Sequence, residues 1–376
     1  MITGVLLEPA PERRVSLLPE QAETLVKKNI SVLCETHAGK QAGAVDAAYT
    51  QKGVSVVGRS EVLQQSDLIL SIHPLSEHDL TLIKPGAVLM GVYQPLYKYA
   101  TIKQWANKGF TTFSLDMIPR STRAQSMDVL SSQANIAGYK AVLQAASIYP
   151  KYFPMLMTAA GSAAPAKVLI LGAGVAGLQA VATARRLGAV VEVFDTRPAV
   201  KEEVMSLGAK FVEVEGAADA SKAGGYAVEQ TEEYKQKQQQ RIAEAAAKAD
   251  VIITTAQIPG KPAPLLITEA MLESMKYGSV IIDLAAATGG NTAKTVNEQT
   301  VQYNGITILG DSNLASSVPS DASKMYGKNV LNFSQLILTK TGELNLNFDD
   351  DIVKGTCMTY NGEVVNERVK ALLNGQ

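Results

Sequence analysis

Short runs of β-branched and aliphatic residues alternate with helical patterns from the first residue to about residue 311. In the first third, the predicted strands are Ile2 to Leu7, Ile30 to Glu35, Val54 to Val57, Leu68 to Ile72, Val88 to Val92 and Thr111 to Leu115. A second series consists of KVLILGA from residue 167, VVEVFD, AKFVEV, VIITTA, SVIIDLA and ITILGD. Strands that alternate with helices are typical of parallel sheets built from right-handed crossovers. The pattern therefore predicts an α/β fold with two doubly wound, Rossmann-like domains.

Two long helical patterns flank the second series of strands. The first covers Ser126 to Ser147, where small residues and Gly138 would let another backbone approach closely. The second covers Ala322 to Leu338. We expect these interdomain helices to carry the chain out of the first domain and back into it. The predicted domains are residues 1–130 with 322–376, and residues 131–321, and two domains also suit a length of 376 residues.

Composition excludes several classes of function. With 35 Lys plus Arg against 36 Asp plus Glu, the chain has no basic field for nucleic acid or an anionic membrane. Cys34 and Cys357 form no disulfide framework or metal-binding spacing, so we predict no metal and a reducing, cytoplasmic setting. The start lacks the features of a signal peptide. The weakly polar tract from Ala159 to Ala184 contains Pro165 and Lys167, which favours a buried strand and helix over a membrane span.

A glycine motif opens the second series of strands. Gly172, Gly174 and Gly177 form GxGxxG directly after an apolar strand and at the start of a helix, the context in which backbone N–H groups hold a pyrophosphate. The next strand ends at Asp195, whose carboxylate can accept hydrogen bonds from both ribose hydroxyls and would repel a 2′-phosphate. This spacing predicts NAD(H) rather than NADP(H). Arg197 is the residue that argues against it, and a purely structural turn is the alternative.

The segment PRSTRAQSMDVLSSQANIAGYKAV resembles the NAD(H)-binding domain of proton-translocating NAD(P) transhydrogenase, as do the glycine segment and TTAQIPGKPAPLLIT. The resemblance covers nearly the whole chain, which looks like the α1 subunit of that family. It implies that Arg120, Gln125 and Asp128 lie in a loop around the nicotinamide, with Ser131 on the following helical turn. For Asp128 and Ser131, helix capping is the alternative.

The tract from Glu215 to Tyr234 is long for a connection between a strand and a helix. Long loops of this kind are often lids, although an ordinary surface loop is the alternative. The resemblance implies that Tyr226, which follows Gly225, closes over the bound nucleotide. The residues expected to bind the cofactor are Gly172, Gly174, Val175, Ala176, Gly177, Asp195, Thr196, Arg197, Gly225, Tyr226 and Ala256.

Histidines are scarce. The chain has three, at His37, His73 and His78, and we expect the last two to be exposed turn residues. Enzymes that oxidise an alcohol or amine move a proton with the hydride and need a positioned acid or base. Hydride exchange between two nicotinamide rings leaves no such proton, so positioning is its main catalytic device. No histidine follows residue 78, so the part of the chain that holds the glycine motif has none and suits the latter chemistry.

Alanine dehydrogenases are the related family with the competing function. Their substrate-binding lysine and catalytic histidine fall on Ile72 and Gln94 here, whereas their pocket arginine matches Arg14, which a structural ion pair would also explain. The transhydrogenase resemblance implies a homodimer that meets an NADP(H)-binding domain and a membrane-spanning subunit, and that lies peripheral to the cytoplasmic membrane. An alanine dehydrogenase-like oxidoreductase and a non-catalytic NAD-sensing module are the alternatives.

Overall fold

The computed structural model describes residues 1–214, 231–339 and 341–375. Gly225 and Tyr226 lie outside the described residues, so their role stays a prediction. The chain divides into unit 1, Met1–Gln133 with Ser316–Gln376, and unit 2, Ala134–Ala315.

The strands of the two units occur where the alternating pattern predicts most of them. They are β1 (Ile2–Val5), β2 (Ser31–Glu35), β3 (Ser55–Val57), β4 (Leu68–Leu70), β5 (Val88–Gly91), β6 (Thr111–Ser114), β7 (Leu156–Thr158), β8 (Gly161–Ala163), β9 (Lys167–Leu171), β10 (Val190–Phe194), β11 (Lys210–Phe211), β12 (Val251–Thr254), β13 (Val280–Asp283), β14 (Gln299–Tyr303), β15 (Ile306–Gly310), β16 (Cys357–Tyr360) and β17 (Glu363–Val364).

Helices fill most of the intervals between the strands. They are α1 (Pro19–Val26), α2 (Asp46–Gln51), α3 (Arg59–Gln65), α4 (Glu77–Leu82), α5 (Tyr99–Asn107), α6 (Val129–Ile148), α7 (Val175–Arg186), α8 (Lys201–Ser206), α9 (Glu232–Ala246), α10 (Glu269–Ser274), α11 (Pro319–Ile337), α12 (Asp351–Thr356) and α13 (Glu367–Leu373). Side chains cap several of them, because a short polar side chain can accept an otherwise unpaired N–H of the first turn. Thr231 caps α9, Thr268 caps α10 and Asp350 caps α12.

Unit 1 contains a sheet with the strand order β17-β16-β6-β5-β4-β1-β2-β3. The strands from β6 to β3 are parallel, whereas β16 pairs antiparallel with both β6 and β17. The order reverses between β1 and β4. In sheets of this type, ligands bind outside the carboxyl ends of the strands at such a reversal.

Unit 2 contains a sheet with the order β11-β10-β9-β12-β13-β15-β14, which is parallel except for the β14–β15 pair. The reversal lies between β9 and β12. Val168 and Ile170 of β9 enter one hydrophobic cluster, and Leu169 and Leu171 enter the cluster on the other face. Because both faces are covered, the strand is a continuous apolar run rather than an alternating one.

A two-stranded antiparallel sheet, β7 with β8, precedes β9 in unit 2. The sequence did not predict this hairpin, because the tract was expected to form only a buried strand and helix. Met155 and Met157 are 66% and 77% exposed, so apolar side chains here face solvent in the described chain. The strand and helix themselves, β9 and α7, form where they were predicted.

Candidate functional site

The glycine motif lies at the carboxyl end of β9, beside the reversal in strand order. Gly172 has a φ of 107°, in the left-handed region that favours glycine, and its carbonyl accepts a hydrogen bond from Thr255 Oγ1 at 3.1 Å. Gly174 is the N-cap residue of α7, and a Cβ atom built on it would meet no other atom within 4 Å. The first N–H groups of a helix have no partner within the helix and carry its positive dipole end. The motif therefore presents an open helix start that suits an anion.

Two other glycines allow close packing behind this helix start. A Cβ on Gly177 would lie 1.9 Å from the carbonyl oxygen of Gly172. A Cβ on Gly138 of α6 would lie 2.0 Å from the carbonyl oxygen of Ala176, which confirms the close backbone approach predicted for Gly138. No side chain fits at either position, so α6, the loop and α7 are fixed against one another within unit 2.

Asp195 follows β10 and is 9% exposed. Its Oδ2 accepts hydrogen bonds from the Ala173 N–H at 2.7 Å and from Arg197 Nη2 at 2.7 Å. Its Oδ1 accepts hydrogen bonds from the backbone N–H and the Nε of Arg197, both at 2.8 Å. The expected ribose-binding carboxylate is therefore joined to the glycine loop and to Arg197, the residue that argued against NAD(H).

Asn291 organises the neighbouring loop, which contains Ala256 and the IPGKPAP segment. Its Nδ2 donates to the carbonyl oxygens of Ala256 at 2.9 Å and Pro264 at 2.8 Å, and its Oδ1 accepts the Ala256 N–H at 3.1 Å. The Asn291 N–H in turn donates to the fully buried Asp283 at 2.6 Å. The sequence analysis did not identify Asn291 as a site residue. The feature that could have indicated it is the position of the GGNTAK segment, which contains Asn291 and follows β13 at the same edge of the sheet.

In unit 1, the predicted nicotinamide loop forms a 3-10 helix, Thr122–Met127, directly before α6. Arg120 and Gln125 are exposed. Asp128 accepts hydrogen bonds from the N–H of Ser131 at 2.9 Å and from its hydroxyl at 2.6 Å. This is the capping contact that the sequence left open as the alternative for these two residues. Capping fixes the start of α6, and a role toward a nucleotide stays a prediction.

Side chains from the return segment of unit 1 hold this loop. Arg123 donates through both terminal nitrogens to Asp350, at 2.6 and 2.7 Å, and also contacts Asp351. The carbonyl oxygen of Ser126 accepts hydrogen bonds from the side-chain amides of Asn329 and Asn332, both at 2.8 Å. The loop is therefore tied at two points to residues about two hundred positions later in the chain.

A buried ionic cluster lies at the carboxyl end of β1. Arg14 donates to both carboxylate oxygens of Glu12, at 2.8 and 2.7 Å, and to the side-chain oxygen of Gln133 at 2.7 Å. His73 lies in a bend with its side chain 40% exposed, and its Nε2 lies 2.8 Å from Glu12 Oε2, a contact that the sequence did not predict. Arg14, which the sequence resemblance matches to the pocket arginine of alanine dehydrogenases, is thus part of an ion pair.

The pKa values of Glu8 and Glu12, two carboxyl groups at this cluster, are shifted in opposite directions. Burial raises the pKa of Glu8 to about 7, although the N–H groups of Ile72 and His73 donate to its oxygens at 2.6 and 3.1 Å and oppose the rise. Burial also acts to raise the pKa of Glu12, but hydrogen bonds from Arg14 and His73 outweigh it and hold this pKa well below its ordinary value. Glu12 is therefore a carboxylate at neutral pH, whereas Glu8 exchanges a proton there.

A cavity of about 160 Å³ lies beside this cluster, and Glu8, Arg59, His73 and Asp79 are among its lining residues. Arg59 donates to Asp79 at 2.8 and 2.9 Å and to Glu35 at 2.8 Å, so its charge is balanced by two carboxylates. This pairing leaves the cavity without an excess positive charge that would hold a substrate carboxylate.

Ile72 and Gln94, the positions that the sequence resemblance matches to the lysine and histidine of alanine dehydrogenases, differ in their surroundings. Ile72 is 2% exposed and offers an apolar side chain, and only its backbone contacts Glu8. Gln94 is exposed and has a φ of 51°. Neither side chain can transfer a proton.

Metal sites and membrane spans are both absent from the described residues. Within residues 1–214, 231–339 and 341–375, no three His, Cys, Asp or Glu side chains are grouped so that they could hold a metal ion. In the same residues, no helix is both long and apolar enough to cross a membrane.

Comparisons with known proteins point to one family. Residues 4–137 match the family model described as alanine dehydrogenase/PNT, N-terminal domain, and residues 141–367 match alanine dehydrogenase/PNT, C-terminal domain. The first portion of NAD(P) transhydrogenase subunit alpha from Rickettsia prowazekii is 44% identical over 360 residues, which cover 94% of this chain and 93% of the relative. The corresponding protein of Rhodospirillum rubrum is 44% identical over 364 residues, which cover 94% of this chain and 95% of the relative.

A solved structure gives the same result. The crystal structure of transhydrogenase from Sinorhizobium meliloti aligns with a TM-score of 0.89 and 42% identity, covering 97% of this chain and all of that one. The chain therefore belongs to the alanine dehydrogenase/PNT family and, within it, to the group of NAD(P) transhydrogenase alpha subunits.

Proposed function

We propose that the chain binds NAD(H) in unit 2 and exchanges a hydride directly with NADP(H) bound on a partner domain. A membrane-spanning partner subunit couples this exchange to proton translocation and keeps the chain at the cytoplasmic face of the membrane. The proposal is supported by membership of the transhydrogenase alpha-subunit group. The observation that carries it in the structure is the open start of α7 at Gly174, beside the reversal in strand order of the unit 2 sheet.

The residues at this edge fit a dinucleotide. The space beside Gly174 lets a pyrophosphate approach the first N–H groups of α7, and Val175 and Ala176 provide two of those groups. Asp195 and Thr196 stand at the end of the adjacent strand, where the adenosine ribose is expected, and the backbone of Ala256 borders the opposite side. When bound, the nicotinamide ring gives or takes the hydride.

The loop before α6 in unit 1 is assigned to the nicotinamide carboxamide. A carboxamide needs both donors and acceptors, and Arg120, Gln125, Asp128 and Ser131 offer both kinds. The ties from Arg123 and Ser126 hold the loop in one conformation. Such preorganisation matters because hydride transfer requires the reacting carbons to approach to about 3 to 3.5 Å.

The unit 1 cluster supports hydride exchange over alanine oxidation. Arg14 is committed to Glu12 and Gln133, so binding a substrate carboxylate there would require breaking a buried ion pair. Ile72 and Gln94 supply neither a positive charge nor a general base. An exchange between two nicotinamide rings needs none of these functions.

We propose that the chain forms a homodimer through the β7–β8 hairpin. Met155 and Met157 are largely exposed there, and Tyr152 nearby is 59% exposed. Exposed apolar patches of this kind mark contact surfaces. Met157→Asp is expected to shift the chain from dimer to monomer in light scattering, and an unchanged mass would remove the hairpin from the contact.

Reconstitution tests the proposed reaction. The purified chain is mixed with NADH and with the NADP(H)-binding domain of a transhydrogenase carrying thio-NADP⁺, whose reduction is followed by absorbance. Gln125→Ala is expected to slow transfer while NADH still binds, whereas Gln64→Ala, an exposed glutamine of α3, is expected to change neither. Absence of transfer by the wild-type chain, or substantial reduction of NAD⁺ by L-alanine without a partner, would contradict the proposal.

A further inference from the structure

The ribose-binding carboxylate of unit 2 is occupied by groups of the chain itself. Asp195 accepts four hydrogen bonds, one from the Ala173 N–H and three from Arg197. A carboxylate has about four acceptor positions, so its acceptor capacity is filled. Two ribose hydroxyls can bond to this carboxylate only when the Arg197 side chain gives up its two contacts.

The contact between the two side chains is a shielded ion pair. The side chains of Asp195 and Arg197 are 6% and 19% exposed, and Arg197 Nη2 lies 2.7 Å from Asp195 Oδ2. A paired guanidinium cancels much of the negative field that would repel a 2′-phosphate. Its planar set of N–H donors also matches the oxygens of a phosphate, which a bare aspartate cannot bind.

We infer that Arg197 is a specificity-determining residue. By pairing with Asp195, it reduces the preference of the site for NAD(H) over NADP(H). This inference rests on the proposed function, in which unit 2 binds a nicotinamide dinucleotide. When NAD(H) binds, Arg197 yields the carboxylate to the ribose hydroxyls. When a 2′-phosphate enters, Arg197 turns its donors toward the phosphate and Asp195 keeps its bond to the Ala173 N–H.

A purely structural role predicts something different. If Arg197 only stiffened the loop after β10, its removal would weaken both nucleotides to a similar extent. A specificity role requires the two affinities to move in opposite directions. The ratio of the NADPH and NADH dissociation constants therefore separates the two roles, because loop damage cancels in it.

Calorimetric titration of Arg197→Ala and Arg197→Gln with NADH and NADPH tests the inference. Each variant is expected to bind NADH more tightly and NADPH more weakly, so that the ratio rises about 10-fold or more, the equivalent of one charge-assisted hydrogen bond. Arg186→Ala removes an exposed arginine from the last turn of α7 and is the matched control for general attraction to phosphate. Its ratio is expected to match that of the wild type.

The outcomes separate this inference from the proposed function. If the wild-type chain binds neither nucleotide, the proposed function fails. If the wild type binds NADH but both Arg197 variants keep the ratio within about twofold, or weaken both nucleotides equally, only the specificity role is overturned. Arg197→Gln keeps more of the side chain than alanine does and retains an N–H donor, so the measurement remains possible if the alanine variant does not fold.

Discussion

Replacing Asn291 with alanine is expected to loosen the loop that borders the proposed nucleotide site. The side chain is fully buried and makes three hydrogen bonds to the backbone of Ala256 and Pro264. Truncation removes all three and leaves backbone groups of a half-buried loop without these partners. Asn291→Asp would keep the shape but lose both donors and bring a carboxylate toward two carbonyl oxygens.

The size of the effect follows from these contacts. A neutral hydrogen bond contributes about 1 kcal/mol net to stability, and a buried polar group left without a hydrogen-bond partner costs about 1 to 3 kcal/mol. Because Ala256 and Pro264 are only partly buried, water can satisfy some of the lost contacts. We expect Asn291→Ala to lower the free energy of unfolding of unit 2 by about 2 to 3 kcal/mol, and Asn291→Asp to lower it at least as much.

Urea unfolding with two probes checks this prediction. The single tryptophan, Trp105, is buried in unit 1 and reports on that unit, so circular dichroism must supply the signal from unit 2. Asn297→Ala, at an exposed asparagine of the same unit, is the control and is expected to change stability by less than about 0.5 kcal/mol. An Asn291→Ala protein as stable as this control would refute the reasoning, because the three hydrogen bonds of the buried Asn291 side chain would then contribute nothing to stability.

Three further predictions concern other regions of the molecule. Burial raises the pKa of Glu8 from 4.5 to about 7, so the folded state holds this proton more tightly than the unfolded state, and the free energy of unfolding of unit 1 should fall as pH rises from about 4.5 to about 7. Glu8→Gln should reduce this dependence of stability on pH, as measured by urea titrations followed by Trp105 fluorescence. Gly174→Ala should leave the melting temperature unchanged and weaken NADH binding about 10-fold, because the space beside Gly174 is open. Gly177→Ala should prevent stable folding of unit 2, because its Cβ would meet a carbonyl oxygen at 1.9 Å. Equal melting temperatures for the two variants would contradict this pair of predictions. Arg123→Ala should slow reconstituted hydride transfer about 10-fold without changing NADH affinity, through loss of the contact with Asp350, and Arg368→Ala, at an exposed arginine of unit 1, serves as the control.

Local patterns predicted the parallel strands of both sheets well, because a strand covered on both faces must be apolar throughout its length. The strand predicted from Leu68 to Ile72 forms as Leu68–Leu70, and the helix predicted from Ala322 to Leu338 forms as Pro319–Ile337. Such differences of one to three residues arise at ends, where hydrogen bonding to other segments decides where an element stops. Strand β16 was not predicted, since its register pairs Cys357 with Phe113, a contact that no short window contains.

In the candidate site, too, features within a short segment could be predicted from the sequence, whereas contacts between distant segments could not. The GxGxxG spacing and the position of Asp195 are readable in the sequence, because a strand, a turn and a helix follow one another within a short segment. The ion pair between Asp195 and Arg197 depends on the conformations of the two side chains, which the sequence pattern does not specify. The role of Asn291 depends on two loops that only the sheet brings together. A residue type and its spacing can indicate which backbone is built, but not which of several donors a carboxylate will accept.

The chain path explains how the loop near residue 120 is held by residues from a distant part of the sequence, in addition to the burial of Ala124 and Met127 in the core of unit 1. Unit 1 is interrupted by unit 2, and the loop is held by Asn329, Asn332 and Asp350, which the chain supplies only after it has returned. Closing such a long connection costs little more entropy than closing a moderate one, since the cost rises with the logarithm of its length. The inserted unit can therefore be large without weakening these ties. These three side chains, which hold the proposed nicotinamide loop, therefore lie in the segment that follows the inserted unit.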